Sequence, residues 1–164
     1  MRSAVNTIVP MKRSHIKACD AITAASDPWN TLREGIDFSR YITLQQAYII
    51  AFDGQPAGFI IFTPEPVFAR GGYLRAIGVR PDMRRHGVGR RLLSFAERES
   101  ARCSQYLYLC VSSFNRQGQT FYKKQGYSRA GKLPDLIRQG ETEYIYWKRL
   151  KPLSRRSGDL KRVK

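Results

Sequence analysis

The residues with most chemical content lie together in Val79-Arg-Pro-Asp-Met-Arg-Arg-His-Gly-Val-Gly-Arg-Arg-Leu-Leu93, where an apolar run meets a glycine-containing turn and then a helix-forming stretch. Such a turn aims successive main-chain N–H groups outward, and the helix dipole adds positive potential at the same point, so a phosphate can sit there. Gly87 and Gly89 spare the anion a Cβ or permit unusual dihedrals, and Arg84, Arg85, Arg90 and Arg91 supply countercharge. A tight strand-to-helix connection explains the same residues without a ligand. Two well-known phosphate fingerprints are absent, since there is no G-x-x-x-x-G-K-[ST] and Gly87-Val-Gly89-Arg-Arg-Leu lacks a third glycine.

A second segment, Asn115-Arg-Gln-Gly-Gln-Thr-Phe-Tyr-Lys-Lys-Gln-Gly-Tyr127, offers an amide and a phenol. Asn115 stands where an N-cap is favoured, and Tyr122, beside Phe121, also suits an aromatic core position at a helix end. Taken with Arg84-x-x-Gly87-x-Gly89, the pair resembles the coenzyme A pyrophosphate loop and the second signature of the GNAT superfamily of N-acetyltransferases. The resemblance spans the chain up to Leu150.

That resemblance implies acetyl-coenzyme A as cosubstrate, no metal, and direct transfer to an amine in a ternary complex. Main chain at Ile77 and Val79 would bind the pantetheine arm between the strands Tyr73 to Val79 and Tyr106 to Val111. The pyrophosphate would rest on Arg84, Arg85, His86, Gly87, Val88, Gly89 and Arg90, with Asn115 against the cofactor arm and Tyr122 beside the sulfur. A neutral amine is required for attack, an oxyanion donor is expected from main chain near Ile77 to Val79, and the departing thiolate needs a proton or a hydrogen bond.

The general base is a gap. No carboxylate occurs in Tyr73 to Val79, and the slot five residues before Asn115, a Glu in the similar ribosomal-protein alanine acetyltransferases, holds Cys110. Cysteine accepts a proton only with a depressed pKa and otherwise packs as a small hydrophobe. Ser112, Ser113, Glu65 and His86 are weak members of a proton path, and an ordered-water route stays open. The amine site is expected among the first helices and hairpin loops, including Trp29, Phe38, Tyr41 and the Glu65 to Phe68 turn, where a peripheral core is the alternative.

The elements that must hold these residues follow from periodicity. Ile16, Cys19, Ile22 and Ala25 recur at helical spacing, Asp27 to Asn30 breaks the pattern, and a short helix or turn follows through Leu32 to Tyr41. Ala47 to Phe52 and Ala57 to Phe62 flank Asp53-Gly54 as a hairpin, which Pro64-Glu65-Pro66 should end. A strand from Tyr73 to Val79 follows, with Gly78 marking a bulge or close approach. The helix over Val88, Leu92, Leu93 and Ala96 then leads to the strand Tyr106 to Val111, the helix after Asn115, and strands near Tyr127 to Ala130 and Tyr144 to Trp147. Together with an edge strand in Ala4 to Pro10, this predicts an α/β (α+β) domain over residues 1–150, a mixed, mostly antiparallel sheet of about seven strands and about four helices.

Composition narrows the classes. With 164 residues, 42% hydrophobic and 12% aromatic, the chain should form one compact domain. No apolar stretch suits a membrane span or secretion signal, and three cysteines without C-x-x-C spacing suggest neither disulfides nor zinc, which together fit the cytoplasm. The net charge of +16 invites a nucleic-acid reading, to which alternating Tyr106 and Tyr108 would contribute stacking. Eight basic residues against one acid lie from Lys148 to Lys164, so seven of those charges belong to a terminus read as a basic, flexible tail at 151–164. A coenzyme A-binding sensor without turnover is a further alternative, and homodimerisation through the last two strands is left open.

Overall fold

The computed structural model describes residues 7–151; the first part of the expected edge strand, with Val5, and the tail from Pro152 lie outside the described residues. Seven strands form one sheet: β1 (Ile8–Pro10), β2 (Ala47–Phe52), β3 (Gln55–Phe68), β4 (Gly71–Val79), β5 (Tyr106–Ser112), β6 (Ser128–Pro134) and β7 (Thr142–Arg149), ordered β1-β2-β3-β4-β5-β7-β6. Only β4 and β5 run parallel, so the sheet joins two antiparallel halves along a single parallel seam. Among the described residues five α-helices accompany it: α1 (Ile16–Ala24), α2 (Trp29–Leu32), α3 (Phe38–Thr43), α4 (Val88–Ser100) and α5 (Arg116–Lys124). Among the described residues no helix is long and apolar enough to cross a membrane.

The near-continuous apolar runs of β2 and β3 reflect burial on both faces of the sheet. Ile49, Phe59 and Ile61 point toward α1 and α3, where they join Cys19, Ile22 and Phe38. Ile50, Ile60 and Phe62 point the other way, toward Leu92, Leu93 and Ala96 of α4, and this second core continues through Leu107, Leu109 and Val111 to Tyr122 of α5. The apolar spacing of α4 therefore does what its sequence predicts, laying Val88, Leu92, Leu93, Ala96 and Ser100 on the sheet.

Three expectations change. The segment after α1 holds two short helices, α2 and α3, where one helix or turn was expected; Arg33 interrupts them in the left-handed region, and Asp37 caps α3 through Arg40 N–H. Strand β3 does not stop at Pro64-Glu65-Pro66 but runs to Phe68, because the Pro64 carbonyl accepts from Ser104 Oγ and Cys103 Sγ across the sheet end. A two-residue turn at Ala69 and Arg70, both at positive φ, then folds the chain into β4. The bulge on β4 falls at Arg75, not Gly78: Ile61 pairs Ala76 while Phe62 pairs Leu74, so Arg75 has no opposite number.

Of the two readings of Gly78, close approach holds: an added Cβ would strike the Phe59 ring and stand 3.0 Å from Ile22. Gly78→Ala should therefore cost about 1–3 kcal/mol of stability through overpacking, measurable as a lowered denaturation midpoint at unchanged slope. An unaltered midpoint would show that Phe59 and α1 yield easily.

Candidate active site

The seam between β4 and β5 is paired only from Gly71–Tyr106 to Leu74–Leu109. Beyond Leu74 the Arg75 bulge turns β4 aside, and the last part of each strand faces a gap. Main-chain groups alternate along a strand, and Arg80 N–H bonds the Ala57 carbonyl of β3, so Ile77 and Val79 present theirs to the gap. The Val79 carbonyl is partly occupied there, accepting from Arg84 Nε at 3.2 Å.

The wide end of the gap leads to the start of α4. Arg91 N–H bonds the Gly87 carbonyl at 3.0 Å and opens the helical ladder, which leaves the amides of Val88, Gly89 and Arg90 ahead of it. No side chain caps this end. Gly87 sits at φ 79 with open space where a Cβ would lie, whereas a Cβ on Gly89 would make ordinary contact with Phe121 and Val79. The conformational requirement thus belongs to Gly87 alone, and the expected parity of the two glycines does not hold. Arg85, itself at φ 64, and Arg90 are exposed around the amides.

Arg84, expected among the phosphate contacts, faces elsewhere. Its Nη2 donates to Ala25 O and Ser26 Oγ, both at 2.9 Å, and its main-chain N–H bonds Pro81 O. It ties the loop to the end of α1, so countercharge comes from its neighbours. His86 is exposed, with Nδ1 2.8 Å from the Arg84 carbonyl. A carbonyl only accepts, so Nδ1 carries the hydrogen in that contact.

Just past the end of β5, Asn115 Oδ1 accepts from Gly118 N–H at 2.8 Å and caps α5. A Cβ on residue 118 would collide with the Asn115 side chain, so glycine three residues later is what lets the cap close. Tyr122 is buried between Phe121 and Tyr127 in edge-on contacts, and its hydroxyl has no hydrogen-bond partner among the described residues. Burial, with a smaller contribution from Tyr73 of β4, pushes its phenol well above the ordinary range. Tyr73 is raised likewise by burial and by the neighbouring Cys110 thiol. Burial also raises Cys110, outweighing the downward pull of Tyr73 and Arg75, so the thiol stays protonated at neutral pH and is a poor base.

One group went unseen in the sequence. Glu143 of β7 is 5% exposed, stands opposite Ser112, and acts electrostatically on both Cys110 and Tyr73. Its only sequence signal was a lone acid before the aromatic and aliphatic run Tyr144 to Trp147. Of Trp29, Phe38 and Tyr41, expected to line the amine site or a peripheral core, Phe38 is buried core and Trp29 and Tyr41 pack half-buried against it, Trp29 and Phe38 meeting Phe59 with centroids at 5.9 and 5.0 Å. A cluster of one exposed and three half-buried aromatics lies beyond the narrow end, where Phe68 meets Tyr108 at 5.0 Å and Tyr106 meets Trp147 at 5.3 Å.

The family model for the acetyltransferase (GNAT) family matches residues 17–127. Among solved structures, the ribosomal-protein-S18-alanine N-acetyltransferase of Escherichia coli is 21% identical, with 91% of this chain and 96% of that one covered at a TM-score of 0.68. An aminoglycoside 6'-N-acetyltransferase complexed with coenzyme A is 19% identical, with 90% and 98% covered at 0.68. Nourseothricin acetyltransferase is 24% identical at 0.60, but only 64% of this chain and 65% of that one are covered. At these identities the likeness is one of fold. No curated protein sequence matches significantly.

The two glycines separate strain from space. Gly87→Val should weaken acetyl-coenzyme A binding at least tenfold in calorimetry, because a β-branched residue is disfavoured at positive φ; Gly89→Ala should leave the unfolding free energy within about 0.5 kcal/mol of the parent. Equal losses of binding and stability in both variants would contradict the assignment.

Proposed function

The chain belongs to the GNAT acetyltransferase family and is an acyltransferase, and on that premise we propose that it moves an acetyl group from acetyl-coenzyme A to a primary amine by direct attack. The observation that carries this reading is the seam that opens past Leu74 and Leu109 and leads to the uncapped start of α4. Two strands that part leave unpaired amides and carbonyls, which a pantetheine arm with its own amides can satisfy. The helix start suits a pyrophosphate for the same reason, and Arg85, His86 and Arg90 surround it.

In this reading the amides of Val88, Gly89 and Arg90 hold the pyrophosphate, Ile77 and the Val79 N–H hold the pantetheine arm, and Asn115 lies against that arm while it caps α5. The thioester then projects toward Tyr122 at the narrow end. A phenol raised by burial does not give up its proton fully to a thiolate, whose parent thiol ionises near 8.5. Tyr122 therefore acts by hydrogen-bonding the sulfur as negative charge develops there. Holding amine and thioester side by side contributes much of the acceleration, on the order of 7–11 kcal/mol for well-oriented partners.

The acceptor approaches over the aromatic floor of Phe68, Tyr106, Tyr108 and Trp147, which adjoins Cys110 on the sheet face that α4 and α5 leave open. Flat aromatic surface favours amines with an apolar or cationic body. The cysteines, of which Cys19 is buried and pushed up to about 12 by burial, remain free thiols, in keeping with a reducing compartment.

The test is thiol release from acetyl-coenzyme A across a panel of amines, with calorimetry of the cofactor alone. Turnover on at least one amine class is expected, and absence of cofactor binding would overturn the reading. Tyr122→Phe should lower kcat roughly 10- to 100-fold, as the loss of one charge-assisted hydrogen bond does, with cofactor affinity and stability unchanged. Trp147→Ala should raise the KM of the amine while leaving the KM of acetyl-coenzyme A as it was.

A further inference from the structure

Among the described residues Glu143 is the one buried acidic side chain. Water is largely excluded from it, yet among the described residues no Lys or Arg forms an ion pair with it. Uncompensated burial of a carboxylate opposes folding, and such groups concentrate where chemistry requires them. Glu143 also lies beyond residues 17–127, so the family pattern says nothing of it.

Its position is set by register. Ser112 faces Glu143 and Cys110 faces Ile145, and both Ser112 and Cys110 belong to the stretch of β5 that no longer has β4 beside it. The carboxyl is therefore carried by β7 to the edge of the open seam, diagonal to Cys110. The groups around it are Ser112 and Cys110 of β5, Tyr73 of β4, and Glu141 on the preceding turn, while β6 contributes Leu133 opposite; Arg75 of β4 acts on Tyr73 and Cys110. Glu141 is itself held by Arg138 at 3.2 Å and by Ser113 at 3.3 Å. The Ser112 hydroxyl stands beside the Glu143 carboxyl and favours its ionised form.

We propose that Glu143 is the general base, accepting the proton of the acceptor's ammonium where β4 and β5 part. This rests on the acetyl-transfer reading above. Its neighbours do not compete for the task, because Cys110, Tyr73 and Tyr122 are all protonated at neutral pH. In the step, one N–H bond of the ammonium breaks and its proton passes to a Glu143 oxygen. The freed nitrogen lone pair forms the C–N bond at the thioester carbonyl, and the oxyanion collapses with cleavage of C–S. The second amine proton goes to the departing thiolate, and Glu143 returns its proton to solvent.

Burial raises the Glu143 carboxyl, with Glu141 adding to the effect and Ser112 opposing it. A carboxyl raised on folding favours the folded state below its unfolded pKa, and that contribution is lost as pH rises through the folded pKa. At pH 7 the ionised side chain is thus a stability burden. Glu143→Gln should be as stable as the parent or more so at pH 7, with the difference shrinking toward acid pH, whereas a purely structural carboxylate would give the opposite sign.

The experiment measures four things on the full chain: acetyl-coenzyme A binding by calorimetry, kcat and KM against pH, stability against pH, and carboxyl titration by NMR with carbon-13-labelled glutamate. In the parent one glutamate should titrate above the ordinary range, and that signal should vanish in Glu143→Gln. The variant should bind acetyl-coenzyme A normally and lose roughly 10²- to 10⁴-fold in kcat at pH 7. Its rate should then climb about tenfold per pH unit as free amine accumulates. Glu143→Asp should recover part of the rate and the acid limb, which keeps the proposal testable if the Gln variant folds poorly. Parent-like kcat and pH profile in Glu143→Gln, or a change confined to the KM of the amine, would overturn it. A parent chain that binds no cofactor would instead overturn the acetyl-transfer reading itself.

Discussion

Most of what this molecule can do depends on one failure of pairing. A parallel seam between β4 and β5 is held for four residue pairs and then abandoned, because an unpaired Arg75 alters the course of β4. Buried main-chain amides cannot be left without partners, so an opened sheet is either a defect or a binding site. Here the two antiparallel halves hold it open from outside: β3 grips β4 along its far edge, and β7 grips β5 over its whole length. The site is therefore a property of the sheet and not of a loop laid upon it.

The start of α4 repeats the same logic with a helix. The first amides of α4 are unsatisfied by geometry, no side chain caps them, and Gly87 takes the one conformation that turns the chain from the short 3₁₀ turn at Pro81–Met83 into the helix. What locks the turn is Arg84, whose guanidinium spans from Val79 to the end of α1. An arginine that looks like countercharge is thus spent on position, and the positive field at the mouth comes from Arg85, Arg90 and the helix itself.

At the opposite end, chemistry is governed by dryness. Tyr73, Cys110 and Tyr122 are each pushed toward their protonated forms by burial, which makes them donors. The proposed transfer to an amine, which must remove a proton from an ammonium, needs an acceptor in that company. The carboxylate nearest the group comes from β7, a strand that enters the site only because it pairs with β5.

Local signals in the chain determined the parts whose causes are local. The Asp53-Gly54 hairpin was legible because both residues accept positive φ between two apolar runs, and α4 because its apolar spacing matches one helical face. Gly87 and Asn115 were legible for the same reason, each meeting a requirement set within a few residues. Tertiary structure alone decided that β3 passes through two prolines, since the contacts that hold it come from Cys103 and Ser104, distant in the chain. It alone decided that Arg84 is tied to the end of α1, that Phe38 is core with Trp29 half-buried against it, and that Glu143 stands opposite Ser112 beside the seam. Charge and aromaticity can be read from a residue's name, but the direction in which a side chain points is fixed by strand register and by what packs against it, and neither is written in its sequence neighbours.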